Sequence, residues 1–266
     1  MSLEQQITAL VTSSNALTEV VDGKIREIDE KVAEVTSIVE STIRSKMVKT
    51  FYLHQTTGND SNSGSRENPI RTLSEVSKRV IPGGCHRVIL LDDYRFDPKL
   101  DNDQWTFAPL LCTIMIIGDG SSKDFTFVAH PRHMRWVGRT QNVSSRIDTS
   151  SGVTIGMENL RLRLDKSQMD DGYELNSRFV LFSTNASFTY SPMVKVRFHK
   201  CDLSLVLGEL PEGTFLLEKT NNFAVIVARS CVYPNDQALL DKLILDATQA
   251  DKLQGSIYTD MALRTS

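Results

Sequence analysis

The sequence predicts a mainly β protein, a parallel β-helix preceded by an N-terminal α-helical coiled coil, assembled as a trimer. Three observations lead there. A narrow apolar stripe at helical spacing runs through residues 3–46, that period stops after Met47, and the rest of the chain breaks into short β-rich runs separated by turn formers.

The stripe comes first. Leu3, Ile7, Leu10, Leu17, Val21, Ile28, Val35 and Ile38 recur at spacings of three, four or seven, which places them on one side of a helix. Glu4, Glu19, Lys24, Arg26, Glu27, Asp29, Glu30, Lys31 and Glu34 lie between them as a charged face. At 1.5 Å per residue the helix would reach roughly 60 Å, longer than a compact domain covers, so its natural partner is another copy of itself. One register runs Ile7, Ser14, Val21, Ile28, Val35, Thr42. The companion register begins Leu3, Leu10, Leu17, fails at Lys24 and Lys31, and resumes one place later at Ile25, Val32 and Val39. That shift near Gly23 is an insertion-type stutter. β-branched residues in both halves of the seam favour three strands over two. The residues expected to hold the copies together are Ile7, Leu10, Leu17, Val21, Ile25, Ile28, Val32, Val35 and Val39. Thr12-Ser13-Ser14-Asn15 are poor helix formers, expected to cap a second helix or break the first. The alternative, an amphipathic helix folded back on its own domain, calls for a wider stripe.

A chain of 266 residues accommodates one large domain or two, and the stripe divides it into a coil over 1–47 and a β domain over 48–266. A net charge of −3 gives no broad basic surface for nucleic acid or an anionic membrane. No apolar run approaches the ~20 residues of a membrane span, and the polar start does not resemble a signal peptide. Cys85, Cys112, Cys201 and Cys231 lack metal-type spacing. They are expected to be buried, reduced thiols of a protein assembled in cytoplasm, with disulfide pairing as the alternative.

After the stripe, Phe51-Tyr52-Leu53-His54 reads as a strand, and residues 57–69 are so rich in Gly, Asn, Asp and Ser that only a loop suits them. Residues 70–80 form a short amphipathic helix, with Thr72 as N-cap and Glu75 closing a capping box. Pro82-Gly83-Gly84 ends it.

This aromatic strand, the Gly58-Asn59-Asp60-Ser61-Asn62-Ser63-Gly64 loop, and Asn68-Pro69-Ile70-Arg71-Thr72-Leu73 before a small helix together resemble a known entry motif. It is that of right-handed parallel β-helix proteins, common in bacteriophage tail spikes, tail fibres and their pectate-lyase-like relatives. The matching residues are Tyr52, Gly58, Asn59, Asp60, Gly64, Pro69, Thr72 and Leu73, within residues 51–91. The coil ahead of it also resembles segments that precede phage fibre domains. The resemblance implies right-handed winding and a structural, adhesive role in the virion tail. The partners it implies are tail, baseplate or fibre proteins at the helical end and host surface polysaccharide at the other.

Strand-like runs follow at Val88–Leu91, Thr113–Ile117, Phe125–Val128, Val153–Ile155, Leu160–Leu164, Phe179–Phe182, Val194–Phe198, Leu203–Leu207, Phe223–Val227 and Leu243–Leu245. No long helical pattern separates them, against a sheet with crossover helices. Three segments superpose: a strand, two or three polar residues, then a second strand opening at Leu160, Cys201 or Cys231. Like residues stacked at unequal intervals, 41 and 30 residues, suit a β-helix whose loops absorb the difference. An antiparallel β-sandwich is the alternative.

Candidate chemistry is sparse. Spikes that cut polysaccharide place two carboxylates about the scissile bond. Asp92, Asp93, Asp165, Asp170, Asp171, Glu174, Asp202, Glu209, Glu212 and Glu218 are available, but no pair is recognisable and solvated loop charge is the simpler reading. His130-Pro131-Arg132-His133-Met134-Arg135-Trp136, with Arg139, is the densest basic and aromatic cluster. Arg132, Arg135, Trp136 and Arg139 are the receptor-binding candidates, facing an acidic sugar or phosphate, with a contact across the trimer as the alternative. A metal held by His130 and His133 would need a helix there, which Pro131 opposes. Gly118–Lys123 reads as a tight turn, not a phosphate loop. No G-x-S-x-G elbow occurs, and Tyr94, Trp105, Tyr173 and Tyr233 are core or loop plugs before they are sugar platforms. No cofactor or metal is expected. Three readings of function remain: an adhesive tail fibre or short spike, a polysaccharide-degrading spike, and a structural connector.

Overall fold

A computed structural model describes residues 2–101, 105–134, 139–148, 153–173, 181–183, 194–210, 216, 224–240, 242 and 257–259. The chain divides into two compact units, Met1–Lys46 and Met47–Ser266.

The first unit is helix α1, Leu3–Met47, continuous through 45 residues. The expected weak point at Thr12–Asn15 does not interrupt it. Hydroxyls in and beside that stretch turn back onto the helix itself: Thr8 Oγ1 donates to Glu4 O, Thr12 Oγ1 to Thr8 O (both 2.9 Å), and Thr18 Oγ1 to Ser14 O at 3.0 Å. That geometry satisfies poor helix formers without a break.

In the second unit β1 (Val48–Leu53) is followed by α2 (Leu73–Arg79), β2 (Cys85–Leu90), β3 (Tyr94–Phe96), β4 (Thr106–Phe107) and β5 (Thr113–Gly118). Next come β6 (Lys123–Met134), β7 (Arg139–Ser144), β8 (Arg146–Asp148), β9 (Thr154–Glu158), β10 (Leu160–Asp165) and β11 (Phe182–Ser183). The chain continues with β12 (Val194–His199), α3 (Ser204–Glu209), β13 (Ala224–Arg229), α4 (Gln237–Leu240) and β14 (Ile257–Thr259). One sheet has the order β1-β2-β5-β9-β12-β13-β14, a second β10-β6-β3 with β7 beside β6, and a third β11-β8-β4. Every strand pairing is parallel except β6 with β7, so the antiparallel sandwich does not hold for the described residues.

Register makes the alternation of strands such as β5 and β10 coherent. Phe51, Val88, Ile116, Met157, Phe198 and Ala228 lie in one row across the first sheet, all buried. The sheets share a core through edge-to-face aromatics, Phe127 to Phe182 at 5.7 Å and Phe182 to Phe198 at 5.4 Å between centroids. The superposed segments are in register: Ile155 faces Val196, and isolated bridges join Arg161 to Asp202 and Asp202 to Val232. Their bends repeat as well, with Asn159, Lys200 and Ser230 at φ of 57°, 53° and 54°. Asn159 N donates to His199 O (3.0 Å) and Lys200 N to Arg229 O (3.1 Å), tying each bend to the next.

The Leu203–Leu207 run departs from expectation. It is not a strand: Ser204–Glu209 is α3, burying Val206 and Leu207. Asp202 Oδ1 accepts from Ser204 N and Oγ, starting a helical turn where composition alone favours β structure. Phe179, Phe223 and Leu243–Leu245 lie outside the described residues. Burial of the cysteines is found for Cys112 and Cys201, whereas Cys231 is half-buried and Cys85, at an outward position at the start of β2, is exposed.

The entry motif closes one end of the core. The loop's Ile70 forms a parallel bridge with Leu53, Tyr52 N donates to Gly64 O (2.9 Å) and Ile70 N to Tyr52 O (3.0 Å), so the open edge of β1 is partly covered. Asp60 accepts from Arg71 N (3.0 Å), Thr72 N (2.9 Å) and Thr72 Oγ1 (2.7 Å). Thr72 Oγ1 in turn accepts from Glu75 N at 3.1 Å as N-cap of α2. The expected capping box is therefore half formed: Thr72 N goes to Asp60, and the Glu75 carboxylate holds Arg79 at 2.8 Å. A Cβ at Gly58 would meet His54 O and Ile70 O at 2.4 Å, which is why only glycine fits that turn.

Tyr94 proves to be a core residue. Its hydroxyl accepts from Leu73 N (2.9 Å) and donates to buried Asp101 at 2.5 Å. Burial pushes the Asp101 carboxyl up to about 7, against the hydrogen bond from Tyr94, which favours the ionised form. A folded-state pKa above the unfolded one contributes stability that is fully present below about 3.8 and is lost as pH rises through about 7. Asp101→Asn is expected to recover on the order of 2 kcal/mol at pH 8 and little at pH 4. Urea midpoints at the two pH values check this, and an equal effect at both would remove the titration as its cause.

Candidate functional site

Three features stand out. The first is the apolar side of α1, which has no buried residue: Leu3 is 72% exposed, Ile28 58% and Val21 47%. Every residue expected in the seam is among the exposed hydrophobics: Ile7, Leu10, Leu17, Val21, Ile25, Ile28, Val32, Val35 and Val39. Lys24 and Lys31, where the companion register fails, both reach Glu27, at 2.7 and 2.8 Å. These exposed pairs contribute little to stability, but they place all three side chains together on a charged flank.

The second is a groove of about 330 Å³ on the outer face of β3, β6 and β10, lined by Arg95, Asp124, Thr126, Arg163, Leu164, Asp165, Lys166 and Glu209. Its origin is the strand alternation. Leu160, Leu162 and Leu164 are buried, so Arg161, Arg163 and Asp165 point outward, and the register sets Arg95, Thr126 and Arg163 in one row. Helix α3 supplies Glu209 from the side. Arg95 Nη1 meets Asp165 Oδ2 at 2.5 Å, Arg161 Nε meets Asp124 Oδ1 at 2.5 Å, and Arg163 Nη2 meets Glu209 Oε1 at 3.0 Å. Glu209 Oε2 also accepts from Leu164 N at 2.6 Å. Burial alone would raise Asp165, but hydrogen bonds from Ser167 and the Arg95 guanidinium outweigh it and hold the carboxyl down at about 2. Asp165 is therefore ionised at neutral pH and is no proton donor to a leaving oxygen.

The sequence had offered Asp165 and Glu209 as unpaired carboxylates, and the fold brings both to this groove. Asp124, Arg95 and Arg163 were missed, although the Leu-Arg alternation of residues 160–164 already places Arg161 and Arg163 on one face. Asp170 and Asp202 instead accept backbone N–H bonds in their own turns, and Asp93 accepts from Asp124 N at 2.8 Å. Glu174, Glu212 and Glu218 lie outside the described residues.

The third is the basic and aromatic cluster. It lies on the β6–β7 hairpin, where Ala129 faces Ser144 and Met134 faces Arg139. Arg132 is exposed, its guanidinium 5.0 Å from the centre of the Trp105 ring. Trp105 stands edge-on to His130 at 6.0 Å, and His130 Nε2 is 2.8 Å from Asp97 Oδ1, with His130 only 2% exposed. Arg139 is exposed at the start of β7, while Arg135 and Trp136 lie outside the described residues. His130 and His133 lie on strand β6 rather than on the helix that a two-histidine metal face would call for. Trp105, from a distant loop, is the partner that the sequence did not assign to Arg132.

No protein-family model and no curated protein matches the chain. Among solved structures it is similar to the crystal structure of a GH136 lacto-N-biosidase from Eubacterium ramulus, at 13% identity and a TM-score of 0.37. The alignment covers 82% of this chain and 34% of that one, so the chain spans about a third of that enzyme's length. A likeness of that strength carries no argument about activity.

Proposed function

We propose that the protein is a homotrimeric fibre component of the phage tail-fibre and short tail-spike kind, structural and adhesive in role. In this reading α1 forms a parallel coiled coil that joins a virion partner, and the second unit is a right-handed parallel β-helix turned toward the host surface. The observation that carries it is the uninterrupted α1 with its whole apolar seam exposed, a surface that mainly another helix of the same kind would cover. Parallel sheets around one core, stacked bends and the entry loop that closes the core support the β-helix.

Sedimentation equilibrium of the full chain at micromolar concentration is expected to give three times the chain mass. Ile28→Glu, which puts a charge in the seam, is expected to shift the species to monomer with the β unit still folded by circular dichroism. A monomeric parent protein would overturn the reading.

The groove beside Arg95 supports a second reading, a glycan-cleaving spike, because it gathers Asp124, Asp165 and Glu209. New reducing ends released from host polysaccharide, and lost in Glu209→Gln, would establish that activity. Binding without cleavage favours the adhesin.

A further inference from the structure

We infer that the α1 seam builds a straight bundle of parallel copies with no net supercoil. The inference rests on the trimer reading and specifies the geometry of its contact. At 3.6 residues per turn, positions seven apart drift by about 20° around a straight helix. The first register, from Ile7 to Val35, therefore moves from about 40° on one side of the seam to about 40° on the other. At the next step it would leave the stripe at Thr42, and there the apolar position passes to Ile43. The companion register does the same earlier: it reaches the far side at Leu17, would leave at Lys24, and restarts at Ile25.

Both resets are steps of eight residues in place of seven, from Leu17 to Ile25 and from Val35 to Ile43. They stand 18 residues apart, which is five turns at 3.6 residues per turn. A seam with that repeat stays on one side of an untwisted helix, whereas an unbroken heptad would wind the copies left-handedly. The structure agrees on two points. α1 is unbroken across both resets, and Lys24 at the first reset is drawn off the stripe to Glu27. Ile43 is exposed, as the rest of the seam is. The partner that fits is therefore another copy of this segment, running parallel and in register.

Thr42 and Ile43 separate the two geometries, since a continued heptad seats Thr42 in the seam and the 18-residue repeat seats Ile43. Both sit in the last turns, so a new glutamate meets the same unfavourable helix end at either place. Sedimentation equilibrium of the full-length protein is expected to show at least a tenfold loss of trimer in Ile43→Glu and less than a twofold loss in Thr42→Glu. Electron microscopy of the parent trimer is expected to show helices aligned along the axis, without the crossing of about 20° found in left-handed coils. Loss of trimer in Thr42→Glu alone, in both variants or in neither overturns the straight bundle. A monomeric parent overturns the trimer instead.

Discussion

Truncating Phe182 to alanine is expected to destabilise the β unit by about 3–5 kcal/mol, the range for removing a large aromatic from a packed core. Phe182 is 1% exposed and sits between Phe127 of the β10-β6-β3 sheet and Phe198 of the seven-stranded sheet, edge-on to both. Its own strand pairs with β8, so one ring joins all three sheets. Alanine there removes buried area and leaves a cavity walled by rigid strands from three directions, which restricts collapse. Urea unfolding followed by the two tryptophans measures the change. A loss below about 1 kcal/mol would mean that the sheets do not depend on a common core.

Replacing Asp60 with alanine is expected to cost about 3 kcal/mol, since charge-assisted hydrogen bonds are worth about 1.5–3 kcal/mol each and do not add fully. The carboxylate gathers two backbone N–H groups and the Thr72 hydroxyl, and that hydroxyl caps α2. Arg79 at the other end of α2 reaches back to Asn62 O at 2.6 Å and to Asp60 O, so loop and helix brace each other. Losing the brace would uncover Leu73 and Val76, which α2 buries at the end of the core. Hydrogen exchange is expected to rise first in residues 58–80 and in β1. Asp60→Asn keeps a side-chain acceptor and is expected to recover part of the loss. Equal destabilisation by Asn and Ala would point to the charge alone.

Much of this arrangement was legible in the chain before any coordinate. The period of α1, the loop of residues 57–69, the Thr72 cap and the alignment of Leu160, Cys201 and Cys231 depend on neighbours within a few residues or on one repeated pattern. Their stereochemistry is local. The same locality explains the misses. Leu203–Leu207 has strand-forming side chains, yet Asp202 turns it into α3. The half-formed capping box was misread because Thr72 N is taken by Asp60, twelve residues earlier.

The candidate sites divide in the same way. The apolar stripe of α1 was legible residue by residue, because a helix displays its own faces. Local pattern alone set that stripe, the loop that follows it, and the inward leucines of alternating strands such as β10. Which strands become neighbours emerges only in three dimensions, and with it that Arg95 meets Asp165, Arg163 meets Glu209 and Arg132 meets Trp105. Alternation assigns a strand residue to a face, while the row it joins depends on loops of unequal length whose closure no local pattern records.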